Sequence, residues 1–224
     1  VSIDVRRGAD RFVTAAEGRT TRHSFSFGPH YDPRNLGFAA MVAHNDENLP
    51  PGTGYADHPH SDLEIVTWVI EGALRHRDDV GRDGVLEAGS VQRVSAGSGI
   101  VHSEVTEPGV RTRFLQTWLR PDDPGVVPSY ARDVLPLAGG LTEVVGHDRL
   151  GIGVAGARLY LADATDRLAL PEAPQLHVYV VGGEMRLGDH VLQDGDAARL
   201  TDQGGRVLEV ERPGSVAVWA FGRN

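Results

Sequence analysis

The chain has 224 residues, 40% hydrophobic and 24% charged, with a formal charge of −9 at neutral pH. Cysteine is absent and all 22 basic residues are arginine, which excludes disulfides, thiolate metal sites, iron–sulfur clusters, Schiff-base lysines and a P-loop lysine. The acidic balance argues against general nucleic-acid binding; no apolar run reaches the roughly 18 residues of a membrane span and no basic-then-apolar leader opens the chain, so the expectation is a cytoplasmic protein.

In chain order, Ala9–Glu17 reads as a short helix, and β-rich runs follow at Ser24–Phe27, Phe38–Val42, Glu64–Ile70, Val91–Ser95 and Phe114–Leu119. Ser129–Leu135 reads as a second short helix, and Arg158–Leu161, His177–Val181 and Val216–Phe221 as further strands. No stretch sustains a helical period. Many short strands, separated by turns drawn from 28 glycines and 13 prolines, predict an all-β protein.

An internal repeat divides it. Val69-Ile70-Glu71-Gly72-Ala73-Leu74 followed by Leu86-Glu87-Ala88-Gly89-Ser90 matches Val180-Val181-Gly182-Gly183-Glu184-Met185 followed by Leu192-Gln193-Asp194-Gly195-Asp196. Each copy is an apolar strand, a glycine turn, a hairpin and a second glycine turn. The reading is two antiparallel β-barrel domains, residues 1–134 and 135–224, with a join near Leu135–Gly146 and Pro121–Pro136 as the connecting segment.

The chemistry concentrates in the first copy. His58-Pro59-His60 runs into a predicted strand, and His102-Ser103-Glu104 follows the turn Ala96-Gly97-Ser98-Gly99. Residues i and i+2 of a strand share a face, so two such pairs facing each other would bring three imidazoles and a carboxylate to one point. That donor set suits a divalent first-row metal and leaves positions open for substrate. Glu64 shares strand parity with the first pair and is read as a group that orients an imidazole rather than as a ligand. Gln92 and Gln116 are candidates for polar pocket groups. His23, His30, His44, His76, His147, His177 and His190 have no partner at ligand spacing and are read as structural.

These residues carry a resemblance. Gly52-Thr53-Gly54-Tyr55-Ala56-Asp57-His58-Pro59-His60 resembles the first cupin motif, and the stretches 58–67, 71–78 and 96–104, with Arg22–Gly28 and Gln116-Thr117-Trp118, resemble the pirin family of bicupins. The likeness is close over residues 20–130 and loose beyond. Gly72 falls one residue later than the generic motif wants, and four residues rather than two separate Gly97 from His102; both spacings are pirin-like. Val94 stands where a pirin would be expected to carry Met.

The resemblance implies a bicupin of two jelly-roll barrels with metal ligands at His58, His60, His102 and Glu104. The implied metal is iron(II), with zinc, nickel, cobalt, copper and manganese also accepted. It further implies a flavonol 2,3-dioxygenase acting on a small aromatic substrate and dioxygen, with Glu104 as the base. The alternative is an iron-dependent regulator that binds a protein partner without turnover. The expected state is a monomer. By gapless counting, the second copy has Ala169, Pro171, Leu208 and Val210 at the ligand positions, so the C-terminal domain is expected to be structural. Gly151-Ile152-Gly153-Val154-Ala155-Gly156 spells a dinucleotide fingerprint, but a turn precedes it and a strand follows it, which denies it the helix N-terminus that mechanism needs.

Overall fold

The computed structural model describes all residues except 135, 138, 148 and 224. The first half holds β1 (Ser2–Arg6), β2 (Phe12–Ala16), β3 (Arg19–His23), β4 (Met41–Leu49), β5 (Gly54–His60), β6 (Glu64–Glu71), β7 (Ala73–Asp78), β8 (Asp83–Glu87), β9 (Ser90–Ser95), β10 (Ile100–Thr106), β11 (Thr112–Leu119) and β12 (Ser129–Val134). The second holds β13 (Thr142–Val145), β14 (Arg158–Ala164), β15 (Leu168–Ala169), β16 (Gln175–Val181), β17 (Glu184–Leu187), β18 (His190–Gln193), β19 (Ala197–Thr201), β20 (Val207–Arg212) and β21 (Gly214–Phe221). The one helical element among the described residues is a 3-10 turn at Gly8–Asp10.

Both short helices read from the sequence are mainly strand, with Ala9 and Asp10 of the first lying in the 3-10 turn. Phe12–Ala16 pairs with β3, and Ser129–Val134 pairs with β9; Leu135, the last residue of the second predicted helix, lies outside the described residues. They are the two edges of one seven-stranded sheet, ordered β12-β9-β6-β11-β4-β3-β2. An edge strand buries little, so its sequence need not show clean alternation. Ser24–Phe27 is not a strand; its one ladder contact is an isolated bridge from Phe27 to His30.

The chain forms two compact units. The first comprises Phe12–Leu135 with Ile152–Val154 and contains that seven-stranded sheet and a four-stranded sheet, β5-β10-β7-β8. The second comprises Val1–Arg11, Pro136–Gly151 and Ala155–Asn224, with sheets β1-β19-β16-β21-β14-β13 and β15-β20-β17-β18. Strand for strand, these two pairs of sheets repeat each other, except that β2 at the end of the seven-stranded sheet has no counterpart among the described residues. The repeat explains a departure from the division at residue 134: β1 fills in the second unit the edge place that β12 fills in the first, pairing Ser2–Arg6 with Ala197–Thr201. Asp196 anchors its end, Oδ1 accepting from the Gly8 amide at 2.7 Å and Oδ2 from Arg7 Nη1 at 2.7 Å.

The interiors differ in a way that locates the chemistry. Among the described residues the second unit has a large continuous apolar cluster inside it, including Leu168, Val178, Met185, Leu187, Ala198, Leu208 and Val218. In the first, the apolar cluster around Leu74 and Phe114 is separate from the one around Ile65 and Ile100. Buried polar residues Thr67, His76, Gln92, His102, Glu104 and Gln116 belong to neither. Gln92, Thr67, Gln116, Asn45 and His23 lie in one cross-strand row of the large sheet. Counted from the glycine turns, Thr67 and Gln92 correspond to Val178 and Ala198, and by ladder pairing Gln116 corresponds to Val218. Burying such a row is costly unless its members satisfy one another.

Candidate metal centre and cavity

The tight turn at Gly72 (φ +83°) sends β6 into β7; a Cβ there would meet the Thr112 Cα at 2.8 Å, so only glycine fits. The turn puts β7 beside β10, and β10 lies between β7 and β5. Across that ladder His102 faces His58 on one side and Asp78 on the other, and Glu104 faces Tyr55 and His76. A bulge between His102 and Glu104 in the β5 pairing shifts the register there.

Donor atoms of His58, His60 and His102 lie within 4.8 Å of one another. Their ring centroids are 4.8, 4.5 and 4.9 Å apart for 58–60, 58–102 and 60–102. His58 Nδ1 donates to the Ala56 carbonyl at 2.7 Å, which leaves Nε2 as the donor atom for a metal. His102 is fully buried and neither of its ring nitrogens has a hydrogen-bond partner among the described residues. A buried imidazole orphaned at both nitrogens is costly and is the feature that fits this chain to a metal. Burial, then the neighbouring rings, lowers His60 to about 4 and His102 to about 3, so both are neutral, as ligands must be.

Glu104 is held from two sides. Its Oε1 accepts from Gln92 Nε2 at 2.9 Å and its Oε2 from Gln116 Nε2 at 2.6 Å. Gln116 Oε1 in turn accepts from Trp118 Nε1 at 2.9 Å. Both glutamines picked from the sequence thus act on the carboxylate. Glu64 does not orient an imidazole: its Oε2 accepts from Ser95 Oγ at 2.8 Å and its carboxylate takes the Gly153 amide. The sequence reading missed His76. It is buried, its Nε2 donates to Asp78 Oδ2 at 3.2 Å, and its donor atoms group with those of His102 and Glu104 as a second cluster. No linear spacing carries that signal, because β7 and β10 meet only through the ladder.

A cavity of about 310 Å³ opens beside His58, Glu104 and Gln116, at the small end of the roughly 300–1,000 Å³ usual for small-molecule sites. Phe27, Tyr55 and Trp118 give it aromatic walls, and His23, Asn45 and Glu47 give it polar ones. Phe27 meets Trp118 edge-on at 5.2 Å and stacks on His23 at 5.0 Å. His23, read as structural, thus lines the cavity, with Nδ1 donating to Asn45 Oδ1 at 3.0 Å and Nε2 bonded to Thr14 Oγ1 at 2.9 Å.

The sequence profile of the Pirin family matches residues 5–119. The chain belongs to the pirin family. A relative from Mycobacterium tuberculosis, named "Putative quercetin 2,3-dioxygenase Rv0181c", is 40% identical over 97% of this chain and 94% of its own. A protein of Escherichia coli K12 named quercetin 2,3-dioxygenase is 41% identical over 48% of this chain and 47% of its own. The bacterial pirin YhhW of Escherichia coli, solved in complex with nickel(II), superposes with a TM-score of 0.91 at 26% identity, covering 100% of both chains. In this pirin the interior of the second unit offers carbon where the first offers donors. Leu208 pairs with Leu168 and Leu187, as Glu104 pairs with Tyr55 and His76. Leu208 is therefore the counterpart of Glu104, a two-residue correction to the gapless count that paired it with His102.

The neutral imidazoles set an acid limit on the metal-free protein. His60 and His102 titrate below the 6.5 of a free histidine, so between about pH 4 and 6.5 the unfolded chain binds protons that the native chain does not. Stability therefore rises with pH across that window and is lost as pH falls through it. His23, also lowered by burial, works in the same sense; Glu47 and Glu64, raised by burial, work against it. The two strongly lowered imidazoles outweigh the one strongly raised carboxylate, so the net slope near pH 5.5 is toward greater stability with rising pH. Urea unfolding of chelator-treated protein at pH 5, 6 and 7 should show it, and a flat profile would contradict neutral imidazoles.

Proposed function

We propose that this pirin is a metal-dependent dioxygenase. In this reading His58, His60, His102 and Glu104 hold one divalent ion, iron(II) by preference, and a flavonol-like phenol in the adjoining cavity undergoes oxidative ring cleavage. The observation that carries the reading is the aromatic-walled cavity with His58 and Glu104 in its lining. A regulator that works without turnover needs no such opening. Relatives named for quercetin 2,3-dioxygenase activity support the substrate class, and the nickel(II) complex of YhhW supports a metal in this fold.

Three neutral imidazoles and one carboxylate leave a divalent ion with net charge +1, which suits an ionised phenolic oxygen. When bound, the metal would supply the redox chemistry that lets dioxygen react with that anion. The chain's own residues do the rest. Gln92 and Gln116 fix the Glu104 carboxylate, the Ala56 carbonyl fixes the tautomer of His58, and Phe27 and Trp118 together form an aromatic wall that packs against the ligand and excludes water. Dioxygen uptake by anaerobically iron-loaded protein given quercetin should be rapid in the wild type and absent in His102→Ala. No uptake by a protein that still holds its metal would overturn the reading.

A further inference from the structure

Ring cleavage of a phenol begins with removal of its hydroxyl proton, and the cavity's ionisable groups are nearly all committed. Both oxygens of Glu104 accept amide hydrogen bonds, which leaves them facing glutamines. Both nitrogens of His23 are bonded, His58 Nδ1 is bonded to Ala56, and the Tyr55 hydroxyl is itself a donor. Glu47, on β4, remains. It is buried and lines the cavity, and its Oε2 accepts from Thr21 Oγ1 at 2.6 Å and from the Tyr55 hydroxyl at 2.9 Å. Its Oε1 has no hydrogen-bond partner among the described residues.

We infer that Glu47 Oε1 accepts the hydroxyl proton of the bound phenol, a catalytic role separate from the ligand role of Glu104. The inference rests on reading the cavity as an active site. In the step, the phenol O–H bond breaks and a carboxyl O–H bond forms on Glu47. The electron pair stays on the phenolic oxygen, and nothing is oxidised or reduced. Two hydroxyl donors on Oε2 hold the carboxylate in place with Oε1 left for the ligand.

The charges around Glu47 agree with this role. No arginine pairs with it among the described residues: Arg113 is engaged by the adjacent Asp46 at 2.6 Å, and Arg19 lies over the Tyr55 ring at 5.0 Å. Burial, with smaller contributions from Glu104 and Asp46, raises Glu47 to about 7, where a general base is most effective at neutral pH. A carboxylate that served only to anchor Tyr55 would do so equally well as an amide.

The test uses Glu47→Gln, which keeps an oxygen for Thr21 and Tyr55, and Glu47→Asp, which keeps the carboxylate. Nickel(II)-loaded protein is mixed anaerobically with quercetin, and the long-wavelength absorbance of the ionised flavonol is followed against pH. Wild-type protein should ionise the bound flavonol near neutrality. Glu47→Gln should need a pH at least one unit higher, with unchanged metal content. With iron, its kcat should fall about 100-fold at little change in KM, and Glu47→Asp should recover part of the loss. A Glu47→Gln ionisation profile and kcat equal to wild type would overturn the inference and leave the dioxygenase reading standing. Glu47-dependent ionisation without dioxygen uptake by the iron protein would do the reverse. A wild-type protein that binds no flavonol would overturn both.

Discussion

Replacing His102 by alanine is expected to empty the metal site, lowering affinity for divalent ions by well over the roughly 10- to 100-fold that loss of a supporting residue costs. His102 belongs to both donor groupings, His58/His60/His102 and His76/His102/Glu104, so no rearrangement among these residues replaces it. The partner variants then separate the groupings. If the ion sits on the pairs from β5 and β10, His58→Ala should also empty the site. His76→Ala should weaken binding only about 10- to 100-fold, through lost support of the His102 ring 5.3 Å away. Metal content and competitive titration against a chelator check this, and the reverse ranking would move the ion toward β7. The metal-free His102→Ala protein should melt close to wild type. The cavity left by an imidazole destabilises, but removing two buried, unpartnered nitrogens stabilises by a similar amount.

The parts of this site that were legible in the sequence are those that lie along one strand. His58 with His60 and His102 with Glu104 are i, i+2 pairs, and strand parity alone puts each pair on one face. The glycine turns at 72, 89, 183 and 195 marked the repeat because positive φ favours glycine at all four, and close packing adds to it at 72 and 183. What could not be read lies across strands. His76 reaches the site through the β7–β10 register, and the Glu47–Tyr55–Thr21 cluster draws on three strands. Their side chains carry no periodic mark that distinguishes a cavity wall from an ordinary buried polar residue. The two false helices failed for another reason. Both are edge strands, where neither face is fully buried and local propensity outweighs pattern. β1 was hidden too, because its partner β19 is almost 200 residues away in the chain.

Gly54→Ala should damage the site without touching a ligand. Gly54 is an ordinary extended residue of β5 paired with Val105 of β10, so its freedom of φ is not what the position needs. Its need is close approach. A Cβ there would stand inside contact distance of the Glu104 carbonyl oxygen and 2.7 Å from the Val105 Cα. One methyl group must therefore push β5 from β10 next to the bulge, four residues before His58, in the same strand pair that sets His58 opposite His102. Overpacking of this kind costs about 1–3 kcal/mol, and a ligand set loosened by even 1 Å no longer meets at one point. Gly54→Ala should thus lower both the urea midpoint and metal affinity. Gly52→Ala is the control: it has positive φ (+68°) but open space around its Cβ, so it should lose about 1 kcal/mol of stability through backbone strain and keep its metal. Equal metal affinity in Gly54→Ala and wild type would show that the imidazoles are held by their own strand and not by the β5–β10 spacing.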